Sequence, residues 1–217
     1  MSLDVFERDF IGLIGPNGSG KTTFVNVVTG VYRPDEGEIY FENKRIDRLP
    51  RHKICRIGIA RTFQIPQPLE DLSVWENVQI GDIFCGVNDP RSVEEALKIS
   101  GLYDKRFYEA SKLTLIEKRL LELARALAVK PRLLFLDEVV AGLREDEIKR
   151  LGDLLVKLNN EGVTVIWIEH NVSALLKYVK RLVVMNMGYI IADGDPQEVI
   201  NKPQVIDAYL GKMMVRS

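Results

Sequence analysis

Two spacings of apolar residues divide the labour along this chain of 217 residues. Four short runs, Phe10–Ile14, Ile57–Ala60, Leu133–Leu136 and Val163–Ile168, carry few polar interruptions. Such runs suit strands buried on both faces, as in a parallel sheet with helices on each side. Between them the spacing becomes helical. Lys21–Thr29 stops at Gly30, and Glu145–Asn159 places Ile148, Leu151, Leu154, Leu155 and Leu158 on one face before Gly162. Near the C-terminus, Leu182–Met185 and Tyr189–Ala192 flank Met187 and Gly188 and predict an antiparallel hairpin.

Residues 74–130 hold helical patterns and no convincing strand. The segments beginning Ser73, Ser92 and Thr114 each place a glutamate three residues on, at Glu76, Glu95 and Glu117. That is the capping-box pattern, in which a hydroxyl and a carboxylate satisfy orphan amides at a helix start. Gly101 predicts the end of the second helix and Pro131 the stop of the third. The expected organisation is one α/β domain, with 1–73 and 131–217 forming the core and 74–130 an inserted helical lobe.

Composition narrows the function by exclusion. Thirty Lys and Arg stand against 31 Asp and Glu, a formal net charge of −1, which argues against nucleic acid as the main partner. Cys55 and Cys85 sit in no metal-ligand spacing and read as buried or idle thiols. The longest apolar runs are too short to cross a bilayer, and no charged-then-apolar leader opens the chain. A cytosolic protein is expected.

The chemistry lies at strand ends. Gly15, Pro16, Asn17, Gly18, Ser19, Gly20, Lys21 and Thr22 follow one predicted strand and open a helix, the setting a phosphate loop requires. Glycines let backbone amides approach phosphate oxygens, and the helix N-terminus adds partial positive charge. Lys21 is placed to reach the β- and γ-phosphates of a nucleotide and the Thr22 hydroxyl to bind Mg²⁺. The strand Leu133–Leu136 ends in Asp137 and Glu138. An acid at a parallel strand's carboxyl end lies where α/β sheets bind ligands. Asp137 would hold Mg²⁺, leaving Glu138 to accept a proton from attacking water.

These residues in this order resemble the ATP-binding-cassette ATPases. The resemblance rests on the loop from Gly15 through Thr23, Gln64 after Thr62 and Phe63, the helical insert, the run ending Asp137-Glu138, and Glu169-His170 after a further strand. It implies a P-loop core with a parallel sheet, a small antiparallel portion and a helical lobe. It also implies a Gln64 that links Mg²⁺ and water to that lobe, a His170 that contacts the γ-phosphate, and a loop at Ala141, Gly142 and Leu143 that touches a second subunit. ATP and Mg²⁺ are the implied cofactors. The finer likeness is to ATPase subunits of branched-chain amino-acid importers. It is carried by Arg61 to Gln64, Leu72 to Val78, Asp137 to Leu143 and the tail Asp193 to Gly211, with Val139 where most cassettes place proline. Lipopolysaccharide-export ATPases share much of that tail.

The family's Leu-Ser-Gly-Gly-Gln segment aligns with Leu113, Thr114, Leu115, Ile116 and Glu117, so both glycines are replaced. Thr114 keeps the hydroxyl and remains a candidate contact to the partner subunit's nucleotide. Family members also carry residues ahead of the segment matching Ser2, including an aromatic that stacks on adenine. The chain as given is therefore expected to hold adenine weakly. The implied assembly pairs two such ATPase subunits, homo- or heterodimeric, on separately encoded transmembrane permease subunits. The chain then sits in the cytoplasm, peripheral to the inner face of the membrane and attached only through its partners. Ile65 to Leu69 is an expected contact with them. A soluble non-transport ATPase of the DNA-repair or translation type is the alternative. The long coiled-coil insert of the first and the paired cassettes of the second are both missing here.

Overall fold

The computed structural model describes residues 1–62 and 66–210. Strand β1 (Phe10–Ile14) leads into α1 (Lys21–Val28), a two-stranded ladder of β2 (Tyr40–Phe41) and β3 (Lys44–Arg45), α2 (Arg51–Arg56) and β4 (Ile59–Arg61). Three helices follow, α3 (Val74–Cys85), α4 (Pro90–Ser100) and α5 (Leu115–Leu127). The chain returns through β5 (Leu133–Asp137), α6 (Glu145–Asn160), β6 (Thr164–Ile168), α7 (Val172–Leu175), β7 (Arg181–Asn186) and β8 (Tyr189–Gly194). Helices α8 (Pro196–Val199) and α9 (Pro203–Leu210) close the described chain.

The main sheet runs β4-β5-β6-β1-β7-β8, parallel throughout except for β8. Its mixed α/β architecture, with β7 and β8 as the antiparallel hairpin, is the one expected from the sequence, while the apolar spacing does not predict the small antiparallel ladder of β2 and β3. Successive strand residues point to opposite faces, and here both faces are apolar. Phe10, Ile14, Leu134, Leu136, Val165, Trp167, Leu182 and Val184 join one buried cluster. Ile11, Leu13, Leu133, Phe135, Ile166, Ile168, Val183 and Met185 join the other. Gly12 faces the first cluster, and a Cβ there would lie 2.1 Å from Leu175 Cδ2. The missing side chain lets α7 settle onto the sheet.

Helices α3, α4 and α5 pack on one another between β4 and β5 in sequence. The capping boxes at Ser73–Glu76 and Thr114–Glu117 both form. The third does not. Helix α4 begins at Pro90 with Asp89 as its cap, and Ser92 is buried within it, donating to Asp82 Oδ1 at 2.8 Å. Proline at the first helical position has no amide to satisfy and a pre-set φ, so it outcompetes a cap three residues later. The first strand after α2 also starts later than expected, at Ile59, because Gly58 (φ 96°) turns the chain out of α2.

The cysteines are not idle. Cys55 at the end of α2 and Cys85 at the end of α3 form a disulfide across Cα atoms 5.4 Å apart, 30 positions apart in sequence. Sequence spacing could not show this, because the packing of α2 on α3 brings them together. Closing a loop of that length removes unfolded-state entropy worth about 3.5 kcal/mol in the chain-entropy treatment. Thiol titration of unreduced, unfolded protein is therefore expected to find neither cysteine free. Reduction should lower the urea-unfolding free energy by up to about 3 kcal/mol.

Candidate nucleotide and catalytic site

Ile168 pairs with Leu13 on one side and Asp137 on the other, so β1, β5 and β6 end level at one edge of the sheet. The phosphate loop, the acidic pair and His170 all issue from that edge. Gly15 leaves β1 where a Cβ would meet Met185 O at 2.2 Å and Ser19 Oγ at 2.7 Å. Gly20, at φ 103°, precedes α1 and provides no side-chain cap for its first-turn amides. Lys21 is buried, its Nζ donating to Gly15 O at 2.7 Å and Pro16 O at 3.3 Å. The Ser19 hydroxyl is buried with no hydrogen-bond partner among the described residues. A narrow glycine cradle, a helix start with no side-chain cap, an ammonium and an orphaned hydroxyl together fit an anion with several oxygens.

Asp137 ends β5 and is buried. Burial pushes its carboxyl up, Arg61 pulls it back, Glu138 raises it, and Lys21 and His170 lower it. Arg61 Nη2 stands 3.7 Å from Asp137 Oδ2, while its Nη1 donates to Asn26 Oδ1 at 2.6 Å. Glu138 takes the left-handed conformation (φ 51°), rare for a residue with a Cβ. Its Oε1 lies 2.7 Å from His170 Nε2. Thr22 and Thr23 are exposed in the first turn of α1. Among the described residues no three His, Cys, Asp or Glu side chains form a metal cluster. A Mg²⁺ site built from one hydroxyl, one carboxylate and substrate oxygens needs no such cluster.

Of the remaining candidates, Gln64 lies outside the described residues. Thr114 caps α5 and is exposed, and Ala141 and Gly142 are exposed beside it, a Cβ on Gly142 falling 3.2 Å from Leu115 Cδ2. The altered 113–117 segment and the 141–143 loop thus share one surface. Sequence reading gave no role to Arg61, Arg119 or Glu169. Arg119 is buried in α5 within the field of Glu169, Glu122 and Glu138. Glu169 is 2% exposed and accepts from Val140 N at 3.0 Å and Trp167 Nε1 at 3.1 Å. Its visible signals were a carboxylate directly after an unbroken apolar strand and its place beside His170.

A family model described as ABC transporter matches residues 1–141. The chain belongs to that family. A second model, branched-chain amino acid ATP-binding cassette transporter, matches residues 190–213, the segment holding β8, α8 and α9. Curated relatives include a "probable branched-chain amino acid transport ATP-binding protein LivG" of Archaeoglobus fulgidus, 41% identical over 92% of this chain and 83% of the relative. The "high-affinity" LivG of Escherichia coli is 34% identical over 98% and 91%. Among solved structures, an ATP-binding cassette in its ADP conformation superposes with a TM-score of 0.89 at 33% identity, covering 97% of this chain and 91% of the other. A nucleotide-free cassette gives 0.88 at 32%, covering 95% and 90%. A dimeric cassette bound to ADP and Pi gives 0.79 at 26%, covering 89% and 88%.

Within this ABC cassette the Glu169 carboxyl is pushed up to about 7, first by burial and then by Glu138, against the pull of its hydrogen bonds. A raised carboxyl pKa gives stability that is complete below the unfolded value and lost as pH rises through the folded one. Glu169→Gln keeps the acceptor and removes that loss. Urea unfolding should show the variant gaining about 2–3 kcal/mol over wild type between pH 4.5 and pH 8.

Proposed function

We propose that this chain is the ATP-hydrolysing subunit of a branched-chain amino-acid importer. The carrying observation is the Glu138–His170 pair at 2.7 Å, set beside the phosphate loop at the carboxyl edge of the sheet. In the proposed reaction, water attacks the γ-phosphorus of ATP, ADP leaves, and phosphate is released. Glu138 accepts the water proton, and its bond to His170 fixes which way the carboxylate faces. Lys21, lifted from the Gly15 and Pro16 carbonyls, neutralises charge on the β- and γ-phosphates. Bound Mg²⁺, with Thr22, Asp137 and Gln64 as its proposed ligands, would polarise those phosphates. The amides of Gly18, Ser19 and Gly20, with the Thr23 hydroxyl, line the same cradle. The substrate class follows from the names of the relatives and from the match of residues 190–213 to the branched-chain model.

Two chains are proposed to close on ATP, Thr114 and the 141–143 loop of each facing the partner's phosphates. No described helix is long and apolar enough to cross a membrane. Attachment to the inner face through permease subunits is therefore the proposed arrangement. Helix α3 offers a surface for them. Ile80, Ile83 and Phe84 are 38, 55 and 58% exposed on one face, and Leu69 is exposed beside Asn77 of the same helix. Exposed apolar side chains grouped this way mark partner contacts.

Lys21→Ala is expected to abolish ATP binding. Glu138→Gln should spare binding, remove turnover by at least about 10²-fold and trap an ATP-dependent dimer, read by equilibrium binding, phosphate release and light scattering. Equal loss of binding in both variants would overturn the role given to Glu138. Separately, Ile83→Glu with Phe84→Glu should sharply reduce the permease retained on co-purification. Undiminished retention would move the contact elsewhere.

A further inference from the structure

We infer that Glu169 is a positioning residue for hydrolysis, holding the Glu138–Val140 turn in the geometry that aims Glu138 at His170. The inference rests on Glu138 acting as the base. Strand β5 ends at Asp137, and the chain must then turn sharply away from the sheet. Two bonds tie that turn to the end of β6. Glu138 N donates to Ile168 O at 2.9 Å, and Val140 N donates to Glu169 Oε1 at 3.0 Å. The first is backbone to backbone and survives any substitution. The second depends on one side chain.

That side chain is itself fixed from the core. The same Oε1 accepts from Trp167 Nε1 at 3.1 Å, and Trp167 is fully buried, its ring 6.2 Å from that of Phe10 and 5.9 Å from that of Tyr178. Glu169 is also the residue before His170. Its backbone therefore carries one member of the Glu138–His170 pair while its carboxyl steadies the turn that carries the other. The burial of Val139 and Val140 gives the turn apolar weight but no direction.

The turn needs such a tie because Glu138 sits in the left-handed region, which costs a non-glycine residue about 1–3 kcal/mol and persists only where the surroundings over-determine it. Removing the acceptor leaves the Val140 amide buried and unpaired, at a cost of similar size. The turn then relieves both penalties by rotating, which carries the Glu138 carboxylate away from His170. A misplacement of about 1 Å at a reacting group can cost on the order of 10²-fold in rate. Nucleotide binding, governed by the loop after β1, is not touched.

The test compares Glu169→Ala, Glu169→Gln and Glu138→Gln in steady-state ATP hydrolysis by the full chain. Glu169→Ala should lower kcat about 10- to 100-fold while KM for ATP stays within about threefold. Glu169→Gln should keep kcat within about threefold, because an amide oxygen accepts the same two hydrogen bonds. If Glu169→Ala does not fold, Glu169→Met fills the volume without an oxygen and carries the same expectation. Unchanged kcat in the folded acceptor-less variant would overturn the inference, as would a loss in Glu169→Gln equal to that in Glu169→Ala. Should Glu138→Gln retain turnover, the base assignment itself fails. Should it lose turnover while the acceptor-less variant does not, only the role of Glu169 fails.

Discussion

Parallel strands buried on both faces leave nowhere for polar chemistry except their ends. β1, β5 and β6 are buried along their whole length, with apolar clusters on both sides of the sheet. A charged side chain in mid-strand would lose its hydration on either face without a partner. Because these strands run parallel and end level, their carboxyl termini deliver the phosphate loop, the acidic pair and Glu169-His170 to one edge. The site is a consequence of the sheet's own burial.

At that edge, low polarity makes each charge matter more. Asp137 is buried, with Arg61 near enough to offset part of the desolvation, and Lys21 is buried among carbonyls. Glu169 is more deeply buried, and desolvation lifts its carboxyl to about 7. Two carboxylates that follow adjacent strands, Glu138 after β5 and Glu169 after β6, thus differ in environment. One is partly accessible and paired with His170, while the other is sealed and accepts amide and indole protons.

The helical insert reaches the same region from outside. Helix α5 carries Thr114 at its exposed start and buried Arg119 one turn later, in the field of Glu138 and Glu169. Leu115 lies against Gly142, so the start of α5 also backs the loop that follows the Glu138–Val140 turn. At the other end of the insert, the Cys55–Cys85 disulfide fastens α3 to α2 of the core. The insert is therefore held to the core both covalently and through the neighbourhood of the site.

Unbroken apolar runs and the glycine-lysine-threonine loop determined, without any coordinates, that the chain forms a parallel α/β core with a phosphate loop. Period and backbone chemistry are local properties, and they read directly from residues such as Phe10–Ile14 and Gly15–Thr22. The caps at Ser73 and Thr114 were legible for the same reason, whereas Ser92 was misread because Pro90 started the helix first. What the tertiary structure alone decided are the encounters between distant segments: Cys55 with Cys85, Arg61 with Asp137, and Glu169 with Val140. Each joins residues about 30 or more positions apart whose own neighbours give no hint of the other. Such pairings follow from which strand lies beside which and how deeply a side chain is buried, and neither quantity is written in local spacing.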